Sequence, residues 1–402
     1  MSIKTGKTPL GAGAVAAILS LSLVVNLPGL AVTPMLGTLQ SIFPDTTQLE
    51  KQLLTLLPNL LIIPCLLISG RLSLLRCKIA IVTGALVVYT LCGVAYLFAS
   101  SMTELIVISC ILGIGAGILI PFSTGLIADT FAGDVRMKEM GYQSAISNLT
   151  LVIATYAVGV LSHGNWHLPF VVYLIPIIPL ALTPLLRRIP AADLYDSAAT
   201  PAAKQQQPHG GFIMSRLIAV IGVYFFVTYS VIIISYYCPF LMEKEHWSAA
   251  LTGAVTAVFF FFTFVPGTAV DQIVRALKGA TLPVAAVAIL IGLSLFAFVH
   301  QQWAMLTGAA LMGFGYGVFQ PILYNKAPMT VSTPRKATLA LAIVLMANYT
   351  SIAVAPVFVD ACRALFSAAG DIAFAFKLNF FLTLGFVAFV IIRRKSFVFS
   401  AS

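Results

Sequence analysis

Twelve apolar runs, each long enough to cross a bilayer, dominate this sequence. They lie near 9–34, 51–69, 79–99, 104–128, 142–162, 168–186, 214–238, 250–270, 280–300, 304–326, 338–359 and 374–392. A helix spans the hydrocarbon with roughly 20 mostly apolar residues, whereas a barrel strand needs about ten that alternate polar and apolar. These runs are too long and too uniform for strands. Composition agrees, with 60% of the 402 residues apolar and 9% charged; soluble domains carry about 25% charged residues. An ordinary cytosolic enzyme, a disulfide scaffold and a disordered chain are excluded. The first run holds Pro28 and Pro34 and is too long for a cleaved signal peptide.

The longest polar stretch, 187–213, is rich in Ala, Pro and Gln and reads as a flexible linker. It divides the chain into a six-helix half at 1–186 and a second at 214–402. Lys and Arg set the orientation. With the N-terminus inside, 18 basic residues fall on the inner side and 4 on the outer. Both termini are then cytoplasmic, in a cell inner membrane. The same bias explains the net charge of +10, so no nucleic-acid partner is expected. The six cysteines have no metal-ligand spacing, and the five histidines form no cluster.

The halves repeat. Gly113, Gly115, Gly117 and Pro121 in the fourth run match Gly313, Gly315, Gly317 and Pro321 in the tenth, at a constant offset of 200. Asn148 and Thr150 match Asn348 and Thr350 at the same offset. Duplicated six-helix halves of this kind bind substrate between them near the midplane.

Several short motifs sit in order along this layout. After the eighth run come Gly267, Asp271, Arg275 and Lys278; the first-half copy keeps Gly70, Leu72 and Lys78, with Leu74 where an acid is expected. The Gly-rich fourth run ends at Asp129, and Trp166, Pro169 and Phe170 form a turn before the sixth run. Together these resemble the major facilitator superfamily, over the whole chain. The look is closest to its twelve-span drug:proton antiporters, although of their fifth-span motif only Gly159 survives. The resemblance implies twelve transmembrane helices in two pseudo-symmetric halves. Spans one, four, seven and ten would line a cavity; two, five, eight and eleven would form the seam.

Intramembrane ionisable groups are costly and usually functional. None of the 13 acids lies near the middle of a span. Glu50, Asp129 and Asp271 remain as carriers or gates. By resemblance, Asp271 should face the start of span five near Gly141 and Tyr142, and Arg275 should pair with Asp129 or Glu139 as an inner latch. Glu50 and Lys51 could meet Asp360 and Arg363 as an outer gate, the plainer alternative being solvated interfacial charges. Tyr316, Gln320 and Tyr324, four apart, share one helix face. Lys326 follows, either snorkelling to the headgroups or facing the cavity. Asn26, Asn59, Tyr229, Tyr236 and Asn348 complete the substrate-facing set, with helix-to-helix hydrogen bonding the alternative for each Asn.

The function expected is a secondary transporter, not an enzyme: no Walker loop, no triad and no cofactor or metal site is present. Aromatic groups with few polar ones suit a small amphipathic substrate. Export against protons by a monomer in the lipid bilayer is the leading expectation. Uptake of a polar or anionic metabolite, and lipid or lysolipid translocation, are the alternatives.

Overall fold

A computed structural model describes residues 2–3, 5, 10–28, 42–43, 48–75, 77–161, 165–187, 189, 212–245, 247, 249–331, 336–366, 371, 373–394 and 396–399. Twelve helical segments run through it. They are α1 (Ala12–Ser20, extended by a 3-10 turn Leu21–Val24), α2 (Gln48–Leu72), α3 (Lys78–Tyr96), α4 (Met102–Thr130) and α5 (Gly133–Leu161). A 3-10 segment Leu168–Leu174 leads into α6 (Ile177–Leu186). The second half holds α7 (Met214–Lys244), α8 (Ala249–Thr268), α9 (Thr281–Phe298), α10 (Gln302–Lys326), α11 (Ala337–Leu365) and α12 (Phe374–Ile392). A short helix, Val270–Leu277, lies between α8 and α9. Among the described residues nine helical stretches are long and apolar enough to cross a membrane by themselves. The apolar parts of α1 and α2 are shorter, and α5 begins with a polar stretch from Gly133 to Gln143.

Local chemistry sets the ends. Ser101 caps α4 by accepting the Glu104 amide, and Glu104 in turn accepts the Ser100 amide at 2.7 Å. This reciprocal box satisfies orphan donors of the first turn and gives one of the scattered acids a structural role. Gly133, at φ +57, makes the tight turn between α4 and α5, a conformation that a Cβ would penalise. Prolines lie inside α2, α4, α8, α10 and α11, where each removes a ladder bond.

The sequence repeat is also a packing repeat. An added Cβ on Gly113 of α4 would strike the Pro58 backbone of α2, and one on Gly313 of α10 would strike the Phe259 carbonyl of α8. Gly115 rests on Ala85 of α3, and Gly315 on Ala285 of α9, again 200 apart. Small residues let backbones approach, which drives helix association where lipid offers no hydrophobic gain.

The described residues before α1, just before α7 and after α12 lie on one side, here the terminal side. A small strand pair, β1 (Ser2–Ile3) with β2 (Leu10–Gly11), sits there, and the Thr5 carbonyl accepts the Ala132 amide. Phe212 bridges to Val331. The Phe397 carbonyl accepts Lys326 Nζ at 2.7 Å.

On that side the halves are pressed together. Gly70 of α2 abuts Leu339 and Ala342 of α11, Gly125 of α4 abuts Thr338, and Gly141 of α5 lies on the Gly267 carbonyl of α8. Among the described residues, the polar contacts crossing between halves are Arg136 with Asn325, Arg275 with Asp134, and Gln320 with Ser144 and Asn148. They run from the terminal ends to the level of Asn148. This is a conformation closed on the terminal side.

Candidate functional site

A continuous row of hydrogen bonds joins three helices from both halves to the segment that follows α1. Asn26, just after α1, donates to Asn148 Oδ1 of α5 at 3.5 Å. Asn148 Nδ2 donates to Gln320 Oε1 of α10 at 3.3 Å, and Ser144 Oγ donates to the same oxygen at 2.5 Å. Gln320 Nε2 donates to the Tyr324 hydroxyl at 3.1 Å, which lies 2.8 Å from the Tyr224 hydroxyl of α7. A second cluster repeats the theme in the second half. Asn348 Oδ1 of α11 accepts from Thr228 at 2.8 Å and from Tyr316 at 3.4 Å.

Four-residue spacing builds the row. Ser144 and Asn148 share one face of α5, Gln320 and Tyr324 one face of α10, and Tyr224 and Thr228 one face of α7. Gln320, Tyr324, Ser144 and Asn148 are buried, while Asn26, Tyr316 and Asn348 keep partial exposure. The Tyr224 and Tyr324 rings meet edge to face, and Tyr316 stacks on Phe259. The row carries no full charge. It can offer amide and hydroxyl donors and acceptors to a ligand between aromatic walls. Buried hydrogen-bonding groups are costly to leave unmade, so a ligand that enters must replace the bonds it displaces.

The sequence-predicted residues fall into three groups. Asn26, Tyr316, Gln320, Tyr324 and Asn348 are brought together by the two clusters above. Tyr229, Tyr236 and Asn59 stand apart. Tyr229 is buried against Phe226 and Phe358, while Tyr236 and Asn59 are half-buried. Lys326 corrects the expectation of a cavity-facing or snorkelling cation. It is 3% exposed, because the 396–399 segment folds back over it. The Phe397 carbonyl takes its ammonium, and the Phe397 ring lies under both Lys326 and Arg216.

The charged residues need one further correction. Arg275 does not reach Asp129 or Glu139. Its guanidinium is 70% exposed, at 3.7 Å from Asp134 and 4.0 Å from Asp271. Asp129 is engaged instead by Lys78 of α3, at 2.6 Å. Asp271 opens the short helix beside Val270, which packs on Gly141. On the far side, Arg363 turns to Asp360 on its own helix at 3.6 Å. The side chains of Glu50 and Lys51 lie outside the described residues.

Sequence reasoning missed Tyr224, Thr228, Ser144 and Arg136. The signal was present as four-residue pairs on α5 and α7, but small hydroxyls in apolar helices are common enough to pass unremarked. Elsewhere, a cleft of about 490 Å³ opens between the terminal ends of α9 and α12. It is lined by Gly279, Ala280, Pro283, Ile391 and Arg394, at the periphery of the bundle.

Comparison with known proteins adds three findings. The sequence profile of the Major Facilitator Superfamily matches residues 10–393. The multidrug transporter protein MdtP of Bacillus subtilis is 32% identical over 173 residues, which cover 42% of this chain and 30% of that protein. The match thus spans less than a third of that relative. Among solved structures, the proton:xylose symporter XylE bound to 6-bromo-6-deoxy-D-glucose superposes with a TM-score of 0.71 at 14% identity, covering 94% of each chain. The human organic anion transporter MFSD10 (TETRAN) gives 0.67 at 16% identity, covering 92% of this chain and 97% of that one. At such identity these two speak for the fold alone.

Proposed function

This chain belongs to the Major Facilitator Superfamily, and on that footing we propose that it exports small amphipathic compounds by alternating access, driven by inward flow of protons. The family is one of membrane transporters rather than enzymes, so a multi-pass transporter is the starting point. The reading of substrate and direction is ours.

The uncharged, aromatic-walled row from Asn26 to Tyr224 carries it. The row lies where the halves meet, and Gln320 spans the seam by accepting from Ser144 and Asn148. Rocking the halves apart on the terminal side must break those bonds. A ligand that supplies a donor or acceptor at Gln320 changes the cost of that rocking, and alternating access requires such a coupling. Aromatic walls with few polar anchors suit a partly apolar ligand. The similarity to a protein named as a multidrug transporter supports the same class. An anion carrier would want a free cation in the cavity, and Lys326 is already engaged by Phe397.

Orientation follows from charge. The terminal side is taken as cytoplasmic because it holds 18 basic residues against 4. The conformation described is then closed towards the cytoplasm. The test is retention of an amphipathic fluorescent dye by cells making the protein. Lower retention than in control cells, restored by a protonophore, supports export. Equal retention with and without the protein overturns it.

A further inference from the structure

A carboxylate that the hydrogen-bond row does not use lies buried at the start of α5. Glu139 is 7% exposed, and its Oε2 has no hydrogen-bond partner. On the same face, four and eight residues on, stand Gln143 and Ser147. Gln143 is 1% exposed with Oε1 unpartnered. Ser147 donates to the Ser22 carbonyl at 3.0 Å, while the Ser22 hydroxyl, fully buried, is itself unpartnered. Two unmet atoms on this face of α5, Glu139 Oε2 and Gln143 Oε1, and the unmet Ser22 hydroxyl on the facing segment thus form a polar stripe. It leads from the terminal end of α5 to the hydrogen-bonded Ser147, next to Asn148 of the substrate row.

Among the described residues no cation forms an ion pair with Glu139. Burial pushes its carboxyl pKa upward and outweighs the adjacent Lys138, which favours the charged form. Lys138 is exposed and stands over the Tyr142 ring at 5.5 Å. Arg136 is bonded to Asn325, and Asp129 to Lys78. Arg275 is taken up by Asp134 and Asp271, and Lys326 by Phe397. The segment Ala12–Val24 facing this stripe carries no ionisable side chain. A buried carboxylate without a partner neutralises rather than staying ionised.

We propose that Glu139 is the proton-holding group of this transporter. In the terminal-closed conformation its carboxyl is protonated. When the seam at Gly141–Gly267 and Arg136–Asn325 opens, both within one turn of Glu139, water reaches it. The carboxyl O–H bond then breaks, the proton passes to that water, and the carboxylate stays hydrated until the seam recloses. The unmet atoms of Gln143 and Ser22 provide the places where water can relay a proton between Glu139 and the substrate row. This inference rests on the proton-driven reading above and gives it a residue.

The test is infrared difference spectroscopy of the reconstituted full chain between acid and alkaline pH. Wild type should show the carbonyl-stretch band of a dehydrated, protonated carboxyl. That band should be lost in Glu139→Gln and displaced in Glu139→Asp, which keeps the acid and controls for folding. Superimposed wild-type and Glu139→Gln spectra overturn the assignment. Transport in proteoliposomes separates this failure from that of the exporter reading. A wild-type protein that moves dye without moving protons removes the coupling itself. A proton-coupled wild type whose coupling survives Glu139→Gln removes Glu139 alone.

Discussion

Lys78 Nζ and Asp129 Oδ2 meet at 2.6 Å with both side chains 4% exposed, which ties the start of α3 to the end of α4 inside the first half. The pair sits beneath the terminal seam, where Gly125 of α4 touches Thr338 of α11. Breaking a buried pair by removing one partner costs about 3–5 kcal/mol, whereas replacing both by apolar groups is often neutral. Asp129→Ala should therefore lower the melting temperature markedly. The double change Lys78→Met with Asp129→Leu should recover most of the loss. Equal melting temperatures for wild type and Asp129→Ala would show that the pair carries no stability.

Gly141 rests on the Gly267 carbonyl, with no room for a Cβ. Gly141→Val should hold the terminal seam apart without unfolding either half. A cysteine placed at Ala342, fully buried against Gly70 in the closed form, should then react faster with a thiol reagent from the terminal side. An unchanged labelling rate would mean that this glycine contact does not set closure.

Gln320 holds Ser144, Asn148 and Tyr324 at once. Gln320→Leu strands those partners, and each unsatisfied buried group costs about 1–3 kcal/mol. The expected result is a clear loss of transport with protein still present in the membrane. Transport at the wild-type rate would remove Gln320 from the site.

Lys326 is shielded by Phe397 through its carbonyl and its ring. Phe397→Ala removes a cation–π contact of about 0.5–2 kcal/mol and loosens the fold-back. Modification of Lys326 by an amine reagent, read by mass spectrometry, should rise several-fold. No rise would place the protection elsewhere.

Much of the architecture was legible in the sequence. Spanning runs are a one-dimensional signal, and the offset of 200 marked the glycines that prove to make equivalent contacts in the two halves, Gly113 on Pro58 and Gly313 on Phe259. The stripe Tyr316, Gln320 and Tyr324 was legible because helix geometry puts residues four apart on one face. Charge pairing was not. The family resemblance pairs Arg275 with Asp129 or Glu139, but an arginine's partner depends on where a neighbouring half places its loops. Lys78 lay nearer, at the facing end of α3. Lys326 was misplaced because no local pattern announces that residues 396–399 fold back over α10. Glu139 was noted only as a pairing candidate for Arg275. Its burial depends on how α5 leans against α1, which no run of twenty residues encodes.

The central claim is proton-driven export of amphipathic compounds. Its most direct measurement uses inverted membrane vesicles containing the protein, energised to acidify the lumen and monitored with a dye that reports that acidity. A panel of amphipathic cations, neutral compounds and lysolipids is added in turn. At least one compound should discharge the gradient only in vesicles that hold the protein, and less so with Glu139→Gln. If every compound leaves the gradient intact in protein-containing vesicles, while a protonophore discharges it normally, the account is contradicted.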